Sequence, residues 1–133
     1  MSNTEQKIVN PYGQYFSGDG IEIEMATFTE KNESGLHDVL LKITGAPAEQ
    51  AGIDQQVIRY VASPAGTGFD LQFEKDGSWR TRMLSRNSWG VWTFFEVFLN
   101  GKTLRVQADE TKAKEIRPLH LLTAYRESTQ KTA

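Results

Sequence analysis

The chain has 133 residues, 38% of them hydrophobic, a net charge of −2 and no cysteine. One core suffices for a domain of that size, and the missing cysteines exclude a disulfide framework, a thiolate metal site and a cysteine nucleophile. The charge is unevenly spread: residues 1–57 carry nine acids and three lysines, the remainder twelve bases and eight acids. Strands that pair across this divide would reconcile it internally.

The first twenty residues show neither the basic start nor the apolar block of a signal peptide, and no apolar run is long enough for a membrane helix. The expectation is therefore a cytoplasmic protein with no membrane contact. Residues 1–10 and 128–133 are polar and read as flexible ends around a single β domain over 11–127. The aromatic stretch Pro11–Phe16 is expected to plug one end of the core.

From there the chain alternates in short segments separated by turn residues, the pattern of an all-β fold. Ile21, Ile23 and Met25 share one parity, and so do Val39, Leu41 and Ile43, with the polar stretch Thr29–Gly35 between them. Pairing Met25 with Val39, Ile23 with Leu41 and Ile21 with Ile43 buries one face and sets Glu22 against Lys42 on the other. A third strand is predicted over 56–62. The turn-rich stretch Ser63–Gly68 follows it; without a G-K-[ST] ending it reads as a hairpin connection, not a phosphate loop.

Phe69, Leu71 and Phe73 alternate with Asp70, Gln72 and Glu74, and Asp76-Gly77 marks the next turn. A two-residue turn would put Arg80 opposite Phe73 and Arg82 opposite Leu71, on the core face. A three-residue turn from Lys75 pairs Phe73 with Trp79, Leu71 with Thr81 and Phe69 with Met83. It also sets Asp70 against Arg82 and Gln72 against Arg80, and is favoured because an unpaired buried arginine costs several kcal/mol. The last hairpin, from about 91 to 108, turns at Asn100-Gly101 and pairs Val97 with Leu104, Phe95 with Val106 and Glu96 with Arg105. A short helix is expected after residue 108, and residues 119–127, which fit either period, are read as a strand. The fold class is all-β: seven or eight antiparallel strands as a sandwich or partly closed barrel, with one short helix after residue 108.

Two surfaces stand out as candidate binding sites. On the strand 91–99 the odd residues supply the core, yet Trp92, Phe94 and Phe98 project to the opposite face, the composition of a contact surface. The segment after Gly77 places Arg80, Arg82 and Arg86 on one face beside Trp89, a mixture able to stack and neutralise an anionic partner. No catalytic residue, metal ligand set or cofactor motif emerges: His37 and His120 have no partner at ligand spacing, and no G-x-S-x-G is present. The leading expectation is a non-catalytic interaction module, a homo-oligomer or a binder of another protein. Its alternative is a barrel that carries or senses an apolar or aromatic small molecule with an anionic end. Single-stranded nucleic acid is a third, less favoured partner, given the acidic balance of the chain.

Overall fold

The computed structural model describes residues 8–65, 68–85 and 94–131. Eight antiparallel strands form a closed up-and-down barrel: β1 Gln14–Gly18, β2 Ile21–Lys31, β3 His37–Gly45, β4 Val57–Ala65, β5 Gly68–Lys75, β6 Ser78–Ser85, β7 Phe94–Leu99 and β8 Lys102–Ala108. Each strand pairs with the next, and β1 returns to β8 through Phe16 opposite Ala108 and Ser17 opposite Gln107. The Asp109 amide donates to the Tyr15 carbonyl (2.9 Å) and the Arg105 amide to Asp19 Oδ2 (2.7 Å), extending that seam at both ends. Residues 14–18 therefore build the closing strand instead of plugging the core: Phe16 is fully buried in it, Tyr15 packs on the outer face beside Glu22, and Tyr12 is 83% exposed.

Alternation sends one side chain in two inward, and eight strands enclose a space that side chains can just fill. Phe16, Ile23, Met25, Val39, Leu71, Met83, Phe95, Val97 and Val106 fill it, each at 0% exposure. Phe16 and Phe95 meet edge to face with centroids 5.0 Å apart. Any cavity able to admit water would expose the atoms of its wall, so the middle of the barrel is packed.

Three helices accompany the strands among the described residues: α1 Ala46–Gln50, α2 Glu110–Ala113 and α3 Pro118–Lys131. The helix expected after residue 108 is α2, capped by Asp109, whose side chain accepts from the Lys112 amide. The other two correct the expectation. α1 follows β3 directly and buries Ala48 under one end of the barrel, while Asn100 Nδ2 donates to the Pro47 carbonyl (3.0 Å) and ties α1 to the β7–β8 turn. We refer to this end as the floor. Residues 119–127 belong to α3, not to a strand. Pro118 suits a first helical position, and the 3.6-residue period gathers Leu121, Leu122 and Tyr125 on one side.

That side of α3 packs on the outer face of β2–β4, where Ala26, Phe28, Leu40 and Val57 join Val9, Leu121 and Leu122 in a second core. The β2–β3 hairpin buries the faces its alternation indicated, but in a register displaced by two residues: Met25 faces Leu41, Ile23 faces Ile43 and Glu24 faces Lys42. β2 runs on to Lys31, and the turn beyond it is set by Asn32, whose Oδ1 accepts from the Ser34 amide (2.8 Å) and the Leu36 amide (3.2 Å). A displacement of two preserves every face, because the side-chain period is two.

The β5–β6 hairpin departs further. It turns on two residues, Asp76 and Gly77, both with positive φ (54° and 80°). Phe73 accordingly faces Arg80 and Glu74 faces Trp79, the pairing that a bulge at the turn was expected to avoid. The bulge lies further along the strand: Gln72 faces Thr81 but Leu71 faces Met83, leaving Arg82 as the extra residue. Beyond it the face changes, so that Met83 enters the core while Trp79 stands outside at 54% exposure. Asp70 consequently lies opposite Leu84 rather than Arg82, and its Oδ2 accepts from Thr81 Oγ1 (3.2 Å).

Barrel closure leaves no room at the seam. At Gly18 an added Cβ would lie 2.2 Å from the Arg105 carbonyl oxygen of β8. Gly18→Ala should therefore force the two strands apart and destabilise the barrel by about 2 kcal/mol or more, measured by urea unfolding. Leu122→Ala should cost a similar amount, roughly 2–4 kcal/mol, through the second core alone.

Candidate functional site

Strands β6 and β7 bring three of the candidate residues together at the barrel floor. Phe98 follows the buried Val97, so it projects from the outer face of β7, half-buried and opposite Thr103. Trp79 and the half-buried Leu84 share that outer face on β6. The helices pack elsewhere, α2 on β1, α1 on β2 and β3, and α3 on β2–β4. Among the described residues the outer face of β5–β8 thus has no helix over it. Phe94 enters β7 opposite Gln107; Trp92, Arg86 and Trp89 lie outside the described residues.

Arg82 turns the other way. The bulge directs its side chain inward at the floor, where its guanidinium stacks on the Phe73 ring at 4.4 Å and Nη1 donates to the Phe98 carbonyl at 3.0 Å. Phe73 in turn meets Tyr60 edge to face at 6.1 Å. Burial pushes the Tyr60 hydroxyl above its ordinary pKa of 10.0, against the opposing charge and hydrogen bond of Arg82. Arg82 Nε is buried with no acceptor, and no described carboxylate forms an ion pair with this guanidinium. Arg80, paired with Phe73, lies on the same face of the strand and is exposed. The expected Asp70–Arg82 pair is absent because the bulge separates the two onto opposite faces, and an inward Arg82 is removed from the sheet surface on which a polynucleotide would lie.

A second arginine shows the contrasting arrangement. Asp38, 6% exposed on the outer face of β3, accepts from Arg59 Nη2 (2.9 Å) and Nε (3.3 Å) through Oδ2, and from Asn32 Nδ2 (2.8 Å) and the Ala62 amide (3.3 Å) through Oδ1. Arg59 also stacks on Phe28 at 4.2 Å. These residues border a surface cleft of about 400 Å³ that Ile8 and Lys31 complete. Nothing in the sequence pattern signalled this cluster, since Asp38 and Arg59 are 21 residues apart and each alternates normally. His37 takes a structural role, with Nδ1 2.9 Å from the Phe28 carbonyl. His120 is exposed on α3. The described residues contain no group of three His, Asp or Glu side chains placed to hold a metal ion.

Neither protein-family models, curated proteins nor solved structures yielded a match to this chain.

Two consequences can be measured. Asp38→Ala would leave Arg59, Asn32 and the Ala62 amide without their common acceptor, and should destabilise the fold by about 1–3 kcal/mol in chemical denaturation, since the Arg59 side chain keeps access to water. Tyr15 behaves like Tyr60, raised by burial first and then by its hydrogen bond to Glu22 and the nearby carboxylates. Because both hydroxyls titrate higher folded than unfolded, their stabilising contribution is whole below the unfolded value of about 10 and is lost as pH rises through the folded values. Stability should fall above pH 10, and Tyr60→Phe should make that fall shallower.

Proposed function

We propose that this chain is a non-catalytic interaction module that self-associates through the outer face of β5–β8. The observation that carries this reading is the unequal cover of the barrel. On β2–β4 the outward apolar residues are buried under α3 and Val9, whereas Trp79, Leu84 and Phe98 project from β6 and β7 where no helix packs. An exposed tryptophan beside further apolar side chains is the composition of an interface centre. A second copy suits the charges around it: exposed Glu74 lies on the outer face of β5 and exposed Arg105 on that of β8. A two-fold axis between them would bring the acidic margin of one copy to the basic margin of the other. The packed centre of the barrel also favours this reading over a carrier that encloses its ligand there.

Sedimentation velocity of the full chain should show a reversible dimer. Trp79→Ser should weaken it by about 2 kcal/mol, roughly thirtyfold in Kd, and Trp79→Ser with Phe98→Ser should give a monomer with an unchanged far-ultraviolet circular dichroism spectrum. A wild-type chain that stays monomeric up to its solubility limit, or a folded double variant that stays dimeric, would rule the reading out.

A further inference from the structure

The barrel floor differs from the rest of the interior in both charge and openness. α1 and its bond to Asn100 cover the side toward β2 and β3. Toward β4–β6 the last inward residues, Ile58, Phe73 and Arg82, are only half-buried, and Arg80 beyond them is exposed. The residues one step deeper, Tyr60, Leu71 and Met83, are at 0–1% exposure. Toward β4–β6 the floor thus joins an apolar wall to two guanidinium groups, one half-buried and one exposed.

Its electrostatics are incomplete. An arginine keeps its charge in any protein environment, and a charge withdrawn from water is normally neutralised by a partner. Among the described residues the groups touching Arg82 are neutral: the Phe98 carbonyl, the Tyr60 hydroxyl and the Phe73 ring. Its buried Nε has no acceptor. The nearest acids along the hairpin do not serve: Asp70 and Glu74 lie on the outer face, and Asp76 occupies the turn.

From these observations we infer that the floor between β4 and β6 binds a small carboxylate. The anion lies on the planar fork of Arg82, with Arg80 beside it, and the ligand's apolar part rests on Ile58 and Phe73. A carboxylate fits because it is flat and takes two parallel N–H bonds from one guanidinium. The site admits a compact ligand only, since Tyr60, Leu71 and Met83 close the way into the barrel. It uses the inward face of the hairpin, so it does not depend on the outer-face interface.

The test compares sodium benzoate, acetate, phosphate and chloride at one ionic strength, reading the melting temperature of the intact chain and, by calorimetric titration, the affinity. Benzoate should raise the melting temperature in a saturable way, acetate less, and chloride not at all. Arg82→Lys, which keeps charge but loses the fork, should weaken benzoate by about tenfold, and Arg82→Gln should abolish the response. Should Arg82→Gln fail to fold, Arg80→Gln at the exposed position carries the same test and should weaken benzoate several-fold without altering the unliganded melting temperature. Equal shifts with chloride, phosphate binding tighter than benzoate, or an undiminished benzoate response in folded Arg82→Gln or Arg80→Gln would each overturn the assignment.

Discussion

The fold depends on the pairing of β1 with β8. An eight-stranded meander left open would present two unpaired edges and a sheet unable to enclose its own apolar face. Closing it through Phe16 and Ser17 removes those edges and fixes the interior volume. With that volume set, the inward residues have to fill it, and Phe16 itself does so against Phe95. Gly18 belongs to the same constraint, because the strands approach so closely at the seam that a side chain would strike the β8 backbone.

A closed barrel has a second surface to resolve, the outside, and this chain treats its two halves differently. β2, β3 and β4 carry outward apolar residues that α3 and Val9 bury, so the C-terminal helix belongs to a genuine second core. On β5–β8, among the described residues, Trp79, Leu84 and Phe98 project outward without such cover. The difference follows from topology: β8 ends on the side where Asp109 is tied to Tyr15, and α2 then directs the chain across β1 toward β2–β4. A helix of fourteen residues placed there cannot also reach β6 and β7.

Much of this was legible in the alternation and in the turns. The Asn100-Gly101 hairpin appears in the expected register, since a two-residue turn with positive φ at both positions leaves no freedom in pairing. Faces were readable even where register was not, as in β2 and β3, because a slip of two changes partners without changing sides. The helix over Leu119–Tyr125 was ambiguous because a short apolar run satisfies both periods until its neighbours are known. The β5–β6 hairpin failed for a different reason. The cost of an unpaired inward arginine argues for a bulge at the turn, whereas the chain keeps the tight turn and places the bulge at Arg82. Alternation is interrupted there, so no parity rule could show that Arg82 faces inward or that Trp79 faces out.

Arg59 and Arg82 make the argument about the site in miniature. Both stack on a phenylalanine, both lie on strands, and both are partly withdrawn from water. Arg59 is balanced by Asp38, which is itself saturated by Asn32 and the Ala62 amide, and the group is complete as structure. Arg82 has the same type of aromatic support but, among the described residues, meets only neutral acceptors. A buried ion pair can often be replaced by apolar residues without loss of stability, and an unneutralised charge is less favourable still. What Arg82 adds beyond packing is a positive, fork-shaped donor at the floor of the barrel, the feature on which the proposed carboxylate site rests.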